Sequence, residues 1–392
     1  MPELVAIDGP GGPRFVELIT AVWERGDAFC PIDPRLSGPA RRRVLDALGP
    51  TMMVTTDGDG SPQRLHGGAP VERGVALVIA TSGTSGEPKA AIHTHRSIEA
   101  SARSTSLALD VDAGRDHWLA CLPLAHIGGL SVVLRSLITG TTLTVHDGFA
   151  ADAVMAAADR GVTLVSLVTR ALNQVPAHRF RKILIGGAAP PGDLPANVVP
   201  TYGMTETGSG VIYGQQILPG CQIGLIDNAG NAVDKPGHTG QILVSGKMVF
   251  RAYRNHPSPF IDGGWFPTGD LGHWNPNGTL TVEGRAADVI VTGGEKVWPD
   301  PVEKVLAADP SIDEVALIGV PDIEWGHRVV AVVVPTNPDM APTIDRIRAL
   351  VAEQFPPWYR PKELVIRLEP LPRTSLGKLR RRHLAESDPS ES

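Results

Sequence analysis

The chain has 392 residues, enough for two or three domains and a large core. Its 36 basic and 42 acidic residues leave a net charge of −6, which excludes a globally basic surface for nucleic acid or anionic membrane. Cys30, Cys121 and Cys221 lie far apart with no CxxC pair, so they offer neither a zinc site nor a disulfide framework and fit a reducing cytosol.

The longest apolar stretch, 127–139, is short and broken by Arg135, too little to span a bilayer. Near the start stand Glu3 and Asp8 rather than a basic, then apolar, leader. A soluble cytoplasmic protein is expected, with no nucleic-acid or membrane partner. The 43 glycines and 35 prolines are spread between apolar segments, as in an α/β protein with many tight connections. Only the polar tail 386–392 reads as unstructured.

In chain order, the first seventy residues carry the weakest signal, and Asp57-Gly58-Asp59-Gly60-Ser61-Pro62 reads as a solvated turn. An apolar strand at 75–80 then runs into Thr81-Ser82-Gly83-Thr84-Ser85-Gly86-Glu87-Pro88-Lys89. Two glycines, several hydroxyls and a terminal lysine supply free backbone N–H groups and one cation, the parts that wrap a polyphosphate. The spacing is not that of a Walker A loop, and the residues alone leave a plain turn open. A helix is expected at 97–109, reached directly from this loop.

Strands at 118–122, 142–145, 163–168, 182–185 and 198–200 alternate with helices at 130–138, 150–159 and 170–174, the pattern of a mainly parallel sheet covered by helices. Ligands of such sheets bind where strands end in loops. Four stretches sit at such ends: Pro123-Leu124-Ala125-His126-Ile127-Gly128-Gly129, Ser166-Leu167-Val168-Thr169, Ile185-Gly186-Gly187-Ala188 and Thr201-Tyr202-Gly203-Met204-Thr205-Glu206. By itself His126 is a cap or a core histidine, and the small residues at 186–188 are tight packing or a platform for a flat ring. Glu206 is a hard oxygen ligand of the kind magnesium takes.

After Gly210 short strands at 222–226, 241–245 and 279–283 suggest a small β-subdomain. A compact α+β unit follows, with helices at 302–307 and 344–354 and strands at 315–320, 329–334 and 364–368. Gly264-Trp265-Phe266-Pro267-Thr268-Gly269-Asp270 offers a carboxylate able to accept two adjacent hydroxyls. Arg285, in Gly284-Arg285-Ala286-Ala287-Asp288, offers a fork of donors. Gly293-Gly294-Glu295-Lys296-Val297-Trp298 allows close backbone approach or is simply a turn. Lys378, after Pro372 and Gly377, is on its own a solvated charge.

In this order these stretches resemble the motifs of the adenylate-forming enzymes, which include acyl-CoA synthetases, peptide-synthetase adenylation domains and firefly luciferase. The family signature TSGTTGxPKG agrees at eight of ten positions, with Ser85 for Thr and Ala90 for Gly. TYGMTE is similar to YGxTE, 264–270 to GWxxTGD, 284–290 to GRxxDxI and 372–378 to PxxxxGK. Gly26 to Leu36 resembles a further region of the family, with the chain before the phosphate loop shortened.

The resemblance implies a fold and a set of roles. The fold is a large α/β domain of parallel sheets with helices and a β-subdomain over 1–284, a hinge at 285–288 and a mobile α+β lid over 289–392. ATP would meet Thr81, Ser82, Gly83, Thr84, Ser85, Gly86, Lys89, Gly187, Ala188, Tyr202, Gly203, Asp270 and Arg285. Thr205 and Glu206 would act at the α-phosphate, Glu206 as the magnesium ligand, and Lys378 would bridge substrate carboxylate and phosphate. His126, Gly186, Ser166 and Thr169 would line the acid site; Gly293, Gly294, Lys296 and Trp298 would line the CoA path. Ala287 departs from the Asp or Lys usual at the hinge.

The implied activity is ATP- and Mg2+-dependent joining of a carboxylic acid to CoA through an acyl-adenylate. The chain looks like the compact o-succinylbenzoate–CoA ligases of menaquinone synthesis. For a second carboxylate on the acid, Arg170 or Arg135 is a candidate partner, and either is equally a helix-surface charge. Open alternatives are another aryl or fatty acid, a stand-alone enzyme loading a carrier protein, and an inactive relative kept for binding. A homodimer is an open assembly.

Overall fold

Helix limits follow local chemistry. Pro13–Glu24 starts on a proline and buries Phe15, Leu18, Ile19 and Val22, one face at helical spacing. Gly38–Leu48 ends on Gly49 and Ile127–Thr139 on Gly140, both left-handed. His95–Ala108 is opened by a reciprocal cap: Ser97 N–H donates to Thr94 Oγ1 at 3.1 Å, and Thr94 N–H to Ser97 Oγ at 3.0 Å. The computed structural model describes residues 1–82, 87–187, 193–373 and 379–386, with backbone alone at Ser82, Arg382 and Glu386.

Four sheets result. The first runs in the order Ala252–Tyr253, Pro88–Thr94, Val75–Ser82, Ala28–Ile32, Leu4–Asp8, Met52–Thr55, Gln63–Arg64. The second runs Gln216–Ile217, Ser209–Tyr213, Val198–Met204, Lys182–Ile185, Leu164–Leu167, His117–Ala120, Thr142–Val145, parallel from Val198–Met204 onward. Cys221–Ile226, Gly240–Gly246, Phe266–Trp274 and Leu280–Arg285 make the third. The fourth has Glu295–Val297, Ile290–Thr292, Gly326–Pro335 and Ile312–Asp322 in order, with Glu363–Ile366 parallel to Gly326–Pro335.

By contacts the chain divides into two compact units, residues 1–223 with 244–267, and 224–243 with 268–392. In the first unit one core gathers Leu4, Ala28, Ile32 and Val78 on the first sheet, and another gathers Leu119, Val165, Ile183 and Val198 on the second. In the second unit Val302, Leu306, Leu317, Val329, Ile347 and Val351 close over one face of the five-stranded sheet. Segment 285–288 lies inside the second unit.

Two expectations are corrected. The loop at 81–89 does not lead straight into a helix: Pro88–Thr94 is a strand that turns back antiparallel on Val75–Ser82, with Thr81 opposite Lys89. The first seventy residues, where the sequence signal is weakest and no strand is assigned, contribute strands Leu4–Asp8, Ala28–Ile32, Met52–Thr55 and Gln63–Arg64 to the first sheet. Among the described residues no helix is long and apolar enough to cross a membrane.

Candidate active site

In the first unit the hairpin places Lys89 on a strand, its Nζ 5.1 Å from the centre of the Tyr253 ring. The Tyr253 hydroxyl donates to Glu206 Oε1 at 2.6 Å. Tyr253 reaches this spot because Ala252–Tyr253 pairs with Ala91 and Ile92 of the same hairpin. One phenol therefore gathers the lysine expected on phosphate and the carboxylate expected on magnesium. Glu206 is 8% exposed, and among the described residues no lysine or arginine pairs with it. No three metal-ligating side chains cluster among the described residues. A single buried carboxylate fits Mg2+, which keeps waters and substrate phosphates and takes one or two protein carboxylates.

The turn carrying Glu206 is built from the strand before it. Val198–Met204 extends through Tyr202 and Gly203, farther than predicted, and pairs antiparallel with Ser209–Tyr213 across a bulge. A Cβ on Gly203 would lie 2.3 Å from Ser209 O and 2.5 Å from Gly210 Cα, so glycine is required where these strands close. Thr207, fully buried, donates to Ser209 O at 2.6 Å and accepts from Met204 N–H at 3.0 Å. Phe250 N–H holds Glu206 O at 2.7 Å.

His93, unremarked in the sequence, is fully buried, with Nε2 2.8 Å from Thr205 O. Burial pushes its pKa down to about 4, against the pull of that hydrogen bond, so the ring is neutral and Nε2–H is the donor. The hairpin expected to hold phosphate thus grips the backbone of the expected catalytic turn.

His126 caps Ile127–Thr139 and sits 3.3 Å through Nε2 from Asp33 Oδ2. Asp33 is 4% exposed and clasped bidentately by Arg35, Nε to Oδ1 at 2.8 Å and Nη2 to Oδ2 at 2.7 Å. Burial pushes the Asp33 carboxyl up, but bonds from Arg35 and His126 outweigh it and hold it well below the usual carboxylate range. The partner of His126 comes from the 26–36 stretch, whose aspartate was visible but assigned no role. Beside it, a Cβ on Gly129 would lie 2.4 Å from Leu122 O and 2.6 Å from Pro123 O.

Ser166 is half-buried on Leu164–Leu167 and Thr169 opens the short helix Thr169–Leu172. Gly186 and Gly187 follow Lys182–Ile185, and Tyr202 is half-buried. The two candidate arginines separate. Arg170 is exposed, whereas Arg135 is 2% exposed, stacked 4.7 Å from the Trp118 ring centre with Nη2 donating to Ser209 Oγ at 3.1 Å. The cavity beside Arg135 holds about 10 Å³, room for one water and not for a carboxylate.

In the second unit Asp270 and Arg285 are cross-strand partners, Arg285 Nε to Asp270 Oδ1 at 2.9 Å. Arg285 Nη1 also donates to Thr268 O at 2.9 Å. Ala287 is exposed on a short 3-10 turn. Gly293 lies beside Gly294 and Lys296, which with Phe355, Trp358 and Tyr359 line a recess of about 450 Å³; Trp298 is half-buried. Gly83, Thr84, Ser85, Gly86, Ala188 and Lys378 lie outside the described residues.

The AMP-binding enzyme model matches residues 67–254, and that of the AMP-binding enzyme C-terminal domain matches 301–378. The chain belongs to the AMP-binding enzyme family. This AMP-binding enzyme is 36% identical over 369 residues to a probable 2-succinylbenzoate–CoA ligase of Mycobacterium tuberculosis, covering 88% of this chain and 92% of the relative. It is 31% identical to an indoleacetate–CoA ligase of Aromatoleum aromaticum, covering 96% and 86%. The o-succinylbenzoate CoA synthetase of Bacillus subtilis in complex with its acyl-adenylate superposes with a TM-score of 0.88 at 26% identity, over 98% of this chain and 88% of that one. The same enzyme with ATP and magnesium gives 0.86 at 27% identity, over 97% and 89%. The chain is an ATP-dependent, AMP-forming acid–thiol ligase.

Proposed function

We propose that this AMP-binding enzyme converts 2-succinylbenzoate to its CoA thioester, using ATP with Mg2+ and CoA as co-substrates. The reading is carried by the 36% identity to a ligase named for that acid along nearly the whole of both chains. The indoleacetate–CoA ligase at 31% identity keeps an aryl-acid alternative open.

In the first half-reaction a carboxylate oxygen attacks the α-phosphorus of ATP, the bond to the bridging oxygen breaks, and pyrophosphate leaves. The cost is electrostatic, since two anions meet and charge grows on phosphorus. Lys89 and the backbone of 81–86 hold the phosphates, Thr205 donates to the α-phosphate, Glu206 is the protein ligand of Mg2+, and Lys378 bridges carboxylate and phosphate. Tyr202 and the 186–188 platform take the adenine, while Asp270 and Arg285 take the ribose. His126 lines the acid site with Gly186, Ser166 and Thr169.

In the second half-reaction the CoA thiol gives up its proton, sulfur bonds to the acyl carbon, and AMP departs with the electrons of the broken C–O bond. Gly293, Gly294, Lys296 and Trp298 line the CoA path. Rotation of residues 289–392 about 285–288 withdraws Lys378 between the steps. The protein works in the cytoplasm, where reducing conditions keep its three buried cysteines as thiols, without nucleic-acid or membrane partners.

Pyrophosphate release across a panel of acids tests the assignment. The expected result is preference for 2-succinylbenzoate; preference for indoleacetate transfers the enzyme to the aryl alternative, and turnover with neither rejects both. Lys378→Ala is expected to slow adenylation by roughly 10²–10³-fold while thioester formation from supplied acyl-adenylate persists.

A further inference from the structure

The residues on either side of 374–378 are held in place within the second unit. Arg373 and Leu379 form an isolated antiparallel bridge, and Arg380 N–H donates to Pro372 O at 2.9 Å. On one flank Glu314, from Ile312–Asp322, accepts from Leu371 N–H at 3.2 Å and from Arg373 Nη2 at 3.0 Å. On the other flank Arg381 opens the helix Arg381–Glu386 with its side chain only 12% exposed.

The surroundings of Arg381 are unusual. Glu303, from helix Pro299–Leu306, takes it bidentately, Nη1 to Oε1 and Nη2 to Oε2 both at 2.9 Å. Asp300 pairs with the same Nη2, and Asp288 of the expected hinge lies 3.9 Å from Nε. Glu303 is itself fixed by Leu317 N–H at 2.6 Å, on the strand that carries Glu314. Holding a helix needs one carboxylate; here three crowd one guanidinium, and burial pushes the Glu303 carboxyl up to about 7 against the pull of Arg381. Of the three acids only Glu303 is largely buried, at 15% exposure against 42% for Asp300 and 36% for Asp288, so its two-pronged pair with Arg381 sets where the guanidinium sits while adding little net stability.

We propose that Arg381 and Glu303 are positioning residues for adenylation, fixing the chain three residues beyond Lys378 so that its ammonium is delivered in one place. The proposal rests on the assignment of Lys378 above. Three residues of chain reach at most about 10 Å, so an anchor at Arg381 bounds how far the backbone at position 378 can stray. Arg381, Glu303 and Asp300 all fall within 289–392, so the anchor travels with the expected lid, and Asp288 ties the same guanidinium to the expected hinge. Misplacement of a catalytic group by about 1 Å costs on the order of 10²-fold, which sets the scale of the effect.

The test uses the full chain with Glu303→Gln and Arg381→Lys, each assayed for pyrophosphate release and for thioester formation from supplied acyl-adenylate, with Tm measured alongside. Glu303→Gln preserves shape and the acceptor for Leu317; Arg381→Lys preserves charge but not the two-pronged grip. Adenylation is expected to fall roughly 10–10²-fold in either variant with thioester formation nearly unchanged. Arg381→Lys added to Lys378→Ala should slow adenylation no further. Parallel loss of both half-reactions, tracking Tm, would overturn the proposal by making the cluster merely structural. Normal adenylation in both variants beside a slow Lys378→Ala also overturns it, alone; normal adenylation in Lys378→Ala overturns the lysine assignment and this proposal together.

Discussion

Glu206 in the first unit and Asp270 in the second are equally buried, at 8% and 7% exposure, yet they are held in opposite ways. Glu206 accepts from a neutral phenol, and among the described residues no cation pairs with it. Asp270 faces a resident guanidinium across its hairpin. A carboxylate already neutralised gains little from a divalent ion, whereas one held only by a hydroxyl keeps its charge for one. The two acids thus differ in the company they keep, which fits the metal ligand and the sugar anchor proposed for them.

The sharpest way to break this contrast is Glu206→Gln, which keeps the acceptor for Tyr253 and removes the charge. Adenylation is expected to fall roughly 10²–10³-fold, with a higher Mg2+ concentration for half-maximal rate. An unchanged Mg2+ titration would remove Glu206 from the metal site.

Acid probes the units themselves. His93 has an ordinary value of 6.5 and is held at about 4, so the unfolded chain binds its proton first. The first unit should lose stability as pH falls from 6.5 toward 4, by about 3 kcal/mol in all. Glu303 has the reverse sign: raised from 4.5 to about 7, it binds its proton first in the folded state. The second unit should gain stability from it as pH falls from 7 toward 4.5. Hydrogen exchange at pH 7.5 and 5.5, compared between helices His95–Ala108 and Pro299–Leu306, reads both; equal shifts would erase the contrast.

Asp270→Asn is expected to raise the KM for ATP about tenfold, since Arg285 loses its counter-charge and the ribose an acceptor. Its Mg2+ titration should stay put. Smallest is Tyr253→Phe, which removes the bond to Glu206 at a cost of about 1 kcal/mol, seen as a modest rise in the Mg2+ requirement. A rise larger than that for Glu206→Gln would mean the phenol, not the carboxylate, governs the metal.

Much of this was readable in the residue string, and the exceptions share a cause. The parallel strands from His117–Ala120 to Val198–Met204 and the helices between them follow apolar periodicity, which is local. Pro88–Thr94 did not stand out because Lys89-Ala90-Ala91-Ile92-His93-Thr94 has weak strand propensity; its pairing with Val75–Ser82 decides it. Leu4–Asp8 and Ala28–Ile32 are five-residue runs whose parallel partnership joins distant sequence. Among the chemically important side chains, Lys89 and Glu206 were marked by their motifs. Tyr253 and His93 were not, and Asp33, though inside the 26–36 resemblance, was given no role, because each matters through a contact made by folding.

Gly129 carries a practical consequence for mutagenesis beside His126. There the first turn of helix Ile127–Thr139 rests on the carbonyls of residues 122 and 123, leaving no room for even a methyl group. A point substitution at 129 would jam two carbonyls before it reshaped any cavity. Redesign of this turn would have to begin on neighbouring elements, or by grafting the whole 122–129 stretch from a relative.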